Sequence, residues 1–156
     1  MSVDRQLVEQ LMGEALLEAQ LAEAHDDVPI GALVVRLRDG AVVARRHNER
    51  ERLGDPTAHA EILALQDAAA SVGSWRLGGH GLVVTLEPCP MCAGAAIAAR
   101  LDLVAFGAPD PKAGALGSLY HLGADPRLNH ELAVVDGVRA GDAAALLSRF
   151  FASRRA

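Results

Sequence analysis

Amphipathic helical periodicity alternates with short β-rich apolar runs along the chain, and this alternation restricts the fold more than any other feature. Leu7, Val8, Leu11, Met12, Ala15, Leu16 and Ala19 recur at three- and four-residue steps and predict a helix over about residues 4–24. Asp26-Asp27-Val28-Pro29 breaks it. Ile30 to Leu37 is an apolar run, Asp39-Gly40 a turn, and Ala41 to Ala44 resumes the run, which reads as a β-hairpin. Asp55 can cap a helix from about 57 to 71, with Pro56 suited to its first turn. Gly73, Gly78, Gly79 and Gly81 mark a loop before a buried strand, Leu82 to Leu86. Pro88 and Pro90 open an alanine-rich helix to about Arg100, and Leu103 to Phe106 is another strand. Gly107 to Gly117 reads as a loop, with a small extra turn near 117–122. Leu132 to Val135 is a last strand, and Asp142 can cap a final helix to about Ser153, with Leu146, Leu147, Phe150 and Phe151 along one face. The order α-β-β-α-β-α-β-β-α predicts a layered α/β domain with helices on both faces of the sheet.

The length of 156 residues suits one core, so a single domain over 1–156 is expected. Hydrophobic residues make up 51% of the chain but aromatics only 3%. The core must therefore draw on Ala, Val, Leu and Ile, with small residues at close helix contacts. No apolar run reaches the roughly 18–20 residues of a membrane helix. Met1-Ser2-Val3-Asp4-Arg5 lacks the basic-then-apolar pattern of a signal peptide, so a cytoplasmic protein is expected. The net charge of −5 disfavours nucleic-acid binding. Its distribution can override the net value: Arg45, Arg46, His47, Arg50 and Arg52 cluster, and Arg149, Arg154 and Arg155 close the chain, two clusters that read either as solvated surface or as RNA contacts. Lys112 is the only lysine.

Two segments hold the residues with chemistry: Thr57-Ala58-His59-Ala60-Glu61 and Glu87-Pro88-Cys89-Pro90-Met91-Cys92. Each lies where a strand or loop runs into a helix. Cys89 and Cys92 are the only cysteines, so a metal held there must recruit another ligand type. With His59 they supply one imidazole and two thiolates, the three protein ligands of a catalytic zinc with one open position. A cysteine pair at this spacing on a helix start can face one ion, and the helix dipole favours the thiolates. Zinc brings the pKa of bound water to about 7. Glu61 is placed to shuttle a proton without ligating the metal. Singly, His59 is a structural histidine, Cys89 and Cys92 a redox pair or structural half-site, and Glu61 a helix glutamate. Jointly, His-x-Glu followed by Pro-Cys-x-x-Cys is the mark of zinc deaminases.

Around these residues the sequence resembles the tRNA adenosine deaminases (the TadA family) of the cytidine deaminase-like superfamily, over nearly the whole chain. Val28-Pro29-Ile30-Gly31-Ala32, Asn48 with Asp55 to Glu61, Thr85-Leu86-Glu87-Pro88-Cys89 and Met91-Cys92-Ala93-Gly94-Ala95 carry the resemblance. So do Phe106-Gly107-Ala108, Asp110, Lys112, Gly114, Gly117-Ser118, Asn129-His130 and Phe150-Phe151. It implies a three-layer α/β/α cytidine deaminase-like fold with a central mixed five-stranded sheet. It implies one zinc per subunit on His59, Cys89 and Cys92, no organic cofactor, and zinc-activated hydroxide attacking carbon 6 of a wobble adenosine in a tRNA anticodon loop. Glu61 is the implied proton shuttle. Asn48 would bond the base or its ribose, the Ala60 backbone would hold the purine, and Ile30 and Leu86 would wall the pocket. Asp110 and Lys112 would meet the RNA, Asp110 through a ribose 2′-hydroxyl. A homodimer is implied, and Ala93 to Ala99 is smooth enough for close helix packing. Pro109 departs from the pattern, standing where the better-known bacterial members have a basic residue, and Pro111 stiffens the same loop.

Two other readings share these residues. A deaminase of a free base or nucleoside, of guanine or cytosine type, would use the same catalytic four, and the net charge favours it. A non-enzymatic zinc or thiol-redox module would have no need of Glu61.

Overall fold

The computed structural model describes residues 4–155. Met1–Val3, part of the segment read above for a signal peptide, and Ala156 lie outside the described residues. The chain runs α1 (Arg5–Gln20), β1 (Gly31–Arg36), β2 (Ala41–His47), α2 (Arg50–Leu53), α3 (Ala60–Val72), β3 (His80–Leu86), α4 (Pro90–Ala98), β4 (Leu103–Ala108), β5 (Ala133–Val135) and α5 (Ala140–Arg155). The strands form one sheet of order β2-β1-β3-β4-β5. β1 is antiparallel to both β2 and β3, while β3, β4 and β5 are parallel. This is the mixed five-stranded sheet expected.

Strand alternation divides the core into two clusters. Ala32 and Val34 of β1, Leu82 and Val84 of β3, and Val104 and Phe106 of β4 pack with Ala60, Ala64 and Ala68 of α3 and Ala93, Ala96 and Ile97 of α4. Leu33, Val35, Val83 and Ala105 point the other way, to Val8, Leu11, Met12, Ala15 and Ala19 of α1 and Ala143 and Leu146 of α5. Helices cover both faces, giving the three layers. Small residues set the approach, as the composition required. A Cβ on Gly31 would stand 2.1 Å from the Ala15 carbonyl oxygen and 2.6 Å from the Ala19 nitrogen. α1 therefore lies directly on the start of β1.

Several boundaries differ from the expectation, each for a local reason. β2 reaches His47 rather than Ala44, because Arg45, Arg46 and His47 pair with Leu33, Ala32 and Gly31. They lie on an edge strand, where outward polar side chains hide the hydrophobic pattern. α1 stops at Gln20 and continues as a 3₁₀ turn over Leu21–His25. α3 begins at Ala60, not near 57. Asp55 does cap, but its Oδ1 takes the Thr57 N–H (2.8 Å) and hydroxyl to close a turn, and the helix cap is His59 in extended conformation. The short helix α2, ended by Gly54 at φ 59°, was not expected. α5 starts at Ala140, so Asp142 sits inside its first turn instead of capping it. Phe150 is buried but Phe151 is 45% exposed, since neighbours on a helix are about 100° apart and cannot share a face. The extra turn falls at Leu122–Ala124. No helix among the described residues is long and apolar enough to cross a membrane.

The turn beginning α4 leaves the C-terminal end of β3, and the loop after β4 leaves the neighbouring parallel strand at the same edge. In open α/β sheets this edge is where ligands bind.

Candidate metal centre

The centre is assembled from two helix starts. His59 is the N-cap of α3, its N–H donated to the Thr57 carbonyl at 2.8 Å. Cys89 is the N-cap of α4, and Pro90 follows at its first position, where a missing N–H costs nothing. Cys92 lies in the first turn of α4 and is buried. His59 Nδ1 is 3.8 Å from Cys89 Sγ and 3.5 Å from Cys92 Sγ. A tetrahedral zinc with bonds of about 2.3 Å to sulfur and about 2.0 Å to nitrogen needs an S···N separation of about 3.5 Å. Both nitrogen–sulfur separations are near that value, the three donor atoms lie within 4.8 Å of one another, and their chemistry suits zinc.

Glu61 follows in the first turn of α3, only 4% exposed, and its Oε1 is buried without a hydrogen-bond partner. Burial pushes its pKa up, against the pull of His59, so the carboxyl keeps a proton to higher pH than usual. The Cys89 thiol is drawn down by its hydrogen bond from Cys92 and, with burial opposing, by His59. Cys92 is pushed up by that same bond and by burial. His59 is raised by its bond to Cys89, with burial opposing and the Glu61 charge assisting.

Around this centre the structure sorts the remaining candidate residues. Asn48 is 2% exposed, and its Oδ1 accepts the Ala60 N–H at 2.8 Å. The Asn48 N–H donates in turn to the Ile30 carbonyl at 3.1 Å, so Ile30, Asn48 and Ala60 form one connected unit. The Ala60 N–H is therefore already engaged, and what the pair leaves for a ligand is the Asn48 Nδ2 group. Ile30 packs on the α3/α4 cluster, beside Ala60. Leu86 makes its apolar contacts with the α1/α5 cluster instead. Asp110 builds its own loop, its Oδ1 taking the N–H groups of Lys112 (3.0 Å) and Ala113 (3.3 Å). Lys112 is exposed and has no ion pair among the described residues.

The arginine cluster is not a free cationic patch. Arg45 pairs with Glu14, Arg46 with Glu49 and Asp67, Arg50 with Asp27, and Arg52 with Glu49. His47 Nδ1 lies 2.6 Å from Glu18. At the chain end Arg154 pairs with Asp26.

Thr85 and Glu87, which the sequence names only as members of the motif segments, have definite structural roles. Thr85 Oγ1 accepts the Gly31 N–H at 3.2 Å and ties the start of β1 to the end of β3. Glu87 is buried and bonded throughout to the loop that follows β4. Its position just before Pro88-Cys89, with Gly114 and Ser118 downstream, was the available signal, but sequence separation concealed the contact.

Residues 5–108 match the family model described as the cytidine and deoxycytidylate deaminase zinc-binding region. The chain is 47% identical over 144 residues to the tRNA-specific adenosine deaminase of Bacillus subtilis (strain 168), covering 92% of this chain and 88% of the relative. It is similar to a solved structure from a study of A-to-I editing by tRNA:A34 deaminases at the wobble position of transfer RNA. The TM-score is 0.83 and the identity 43%, covering 87% of this chain and 97% of the other. A guanine deaminase from Nitrosomonas europaea has a TM-score of 0.78 at 28% identity, covering 92% of this chain and 84% of that one.

Proposed function

The chain belongs to the cytidine and deoxycytidylate deaminase zinc-binding family and, within it, to the tRNA-specific adenosine deaminases, and from this premise we propose that it converts a wobble adenosine in a tRNA anticodon to inosine, releasing ammonia. The observation that carries the reading is the buried, orphaned Glu61 oxygen beside a His–Cys–Cys cradle. Proton transfer needs such a carboxyl, and a purely structural metal site does not.

In this reading His59 Nδ1, Cys89 Sγ and Cys92 Sγ hold one zinc per subunit. The chemistry zinc supplies in such a donor set is activation of water near neutral pH. Glu61 takes up the proton that water gives, delivers it to N1 of the purine, and passes a second to the departing amine. Water adds at carbon 6 and ammonia leaves, so Glu61 ends in the protonation state in which it began. Asn48 donates through Nδ2 to the base or ribose while its oxygen holds the start of α3. Ile30 and Ala60 wall the pocket, while Leu86 packs on the other sheet face against the α1/α5 cluster. Asp110 offers a carboxylate oxygen to a ribose 2′-hydroxyl and Lys112 its ammonium to a phosphate. An anticodon loop presents the target already unstacked, as this chemistry requires.

A homodimer of single-domain subunits, working in the cytoplasm, completes the proposal. A groove of about 310 Å³ lined by Ile62, Leu65, Trp75, Ala95 and Ala98, with Trp75 54% exposed, supports a subunit contact across α3 and α4.

The paired arginines and the resemblance to a guanine deaminase favour a second reading, a deaminase of a free base. The test is incubation of the purified protein with an anticodon stem-loop carrying a wobble adenosine, with guanine and cytosine in parallel. Inosine that disappears with Glu61→Gln supports the tRNA reading. Turnover of a free base without inosine supports the second. A Glu61→Gln protein as active as the parent would end both.

A further inference from the structure

We propose that Glu87 is a positioning residue for the RNA strand: its carboxylate is the template on which the 109–118 loop folds, and it sets where Asp110 and Lys112 meet the substrate. The proposal rests on the tRNA reading above. Glu87 is not one of the three donors at the metal centre, and it has no cationic partner among the described residues. A buried carboxylate is costly unless its lone pairs are occupied. Here every donor comes from one loop. Oε1 takes the Asp110 N–H at 3.0 Å and the Ser118 hydroxyl. Oε2 takes the Leu116 and Ser118 N–H groups, each at 3.0 Å.

The two ends of the loop are therefore gathered on a single side chain. The chain between them passes close over it, since a Cβ on Gly114 would stand 2.3 Å from the Glu87 carboxyl carbon. The next residue, Ala115, donates its N–H to the Pro88 carbonyl at 2.8 Å. The loop carrying Asp110 and Lys112 is thus fastened to the segment leading to Cys89 at both Glu87 and Pro88. An apolar residue at position 87 could fill the space, but it could not fix three N–H groups in direction. Disturbing Glu87 then shifts the substrate contacts on the loop while leaving the His–Cys–Cys donors in place.

The experiment is steady-state deamination of an anticodon stem-loop by Glu87→Gln, Gly114→Ala and Ser118→Ala, with zinc content and thermal melting measured on each. Glu87→Gln puts an amide nitrogen against N–H donors, and Gly114→Ala displaces the loop from the other side without altering charge. Both are expected to raise KM about tenfold, with kcat held within about twofold and zinc at the wild-type level. Ser118→Ala removes one hydroxyl near the surface and is expected to raise KM about two- to fivefold. It keeps the test decisive if Glu87→Gln fails to fold. KM unchanged in the folded variants, or kcat lost at constant KM, overturns the proposal. A wild-type protein that makes no inosine on the stem-loop refutes the tRNA reading and this proposal with it. Inosine formation with indifferent variants refutes the role of Glu87 alone.

Discussion

Asn48 carries two separable duties, and one pair of substitutions tells them apart. The Ala60 N–H can only donate, so it must face the side-chain oxygen of Asn48, and the amide orientation follows from chemistry. Asn48→Ala removes that acceptor and leaves a buried helix-start donor unsatisfied, since Ala60 is fully buried. The cost of such an orphan is about 1–3 kcal/mol. At about 2–4 °C per kcal/mol for a chain of this size, the melting temperature should fall by roughly 4–8 °C for a loss near 2 kcal/mol. Asn48→Asp keeps an oxygen for Ala60 and adds negative charge at the start of α3, where the helix dipole welcomes it. The dipole and the retained bond offset part of the cost of burying that charge, so its melting temperature should fall by less than that of Asn48→Ala. It loses the Nδ2 donor, however, so kcat/KM on the stem-loop should fall by a factor of about 10–100. Melting curves and kinetics on the two variants are the assay. Asn48→Asp with wild-type kcat/KM would refute the substrate contact. Asn48→Ala with an unchanged melting temperature would refute the structural one.

Other outcomes follow from the same geometry. Burial alone would raise the pKa of Asp27, but the N–H of Glu51, the Arg50 guanidinium and the N–H of Val28 outweigh it and hold the carboxyl below its ordinary value. Its stabilisation is therefore present above the unfolded pKa of about 4 and lost as pH falls through the lower folded value. Asp27→Asn should cost about 1–3 kcal/mol at pH 7, with melting curves converging on wild type below about pH 4; a gap constant down to about pH 2 would contradict this. Gly31→Ala should cost about 3 kcal/mol or more in urea unfolding, because the new methyl meets α1 backbone that cannot step aside, and an unshifted midpoint would deny that contact. Stripping zinc with a chelator should lower the melting temperature, and zinc at about 100 times its Kd should restore about 2.7 kcal/mol. Identical melts with and without metal would count against the donor set.

The fold was readable where one side chain reports one environment. The a/d-like spacing of Leu7 to Ala19 marks α1 because each residue meets the same sheet face. Val83 and Val84 reveal a doubly covered strand because both neighbours are apolar. His59, Cys89 and Cys92 were legible for a related reason: each is set at a helix start by its own neighbours, Thr57 on one side and Pro88 and Pro90 on the other. Their convergence needs only that two helix starts share one end of the sheet. The edge strand β2 was cut short in the reading because Arg45 and Arg46 look like loop residues until their acidic partners are known.

Five cationic positions between 45 and 52 suggested a phosphate-binding surface, yet their partners Glu14, Glu18, Asp27, Glu49 and Asp67 arrive from α1, from the turns flanking β1 and β2, and from α3. Ion pairs of this kind consume the charge that counterion release from a nucleic acid would require. Charge counting along the sequence therefore overstates the attraction for RNA in this region. Under the proposed function the burden of substrate contact shifts to the loop after β4, where Lys112 stands unpaired among the described residues and Glu87 holds both ends of the loop. A substrate surface with few free cations should recognise a shaped single strand more than a phosphate backbone. Affinity for the stem-loop should then depend on salt with a shallow slope, about one counterion per phosphate contact made. A slope as steep as that of a protein making six to ten phosphate contacts would require those arginines to leave their carboxylates on binding.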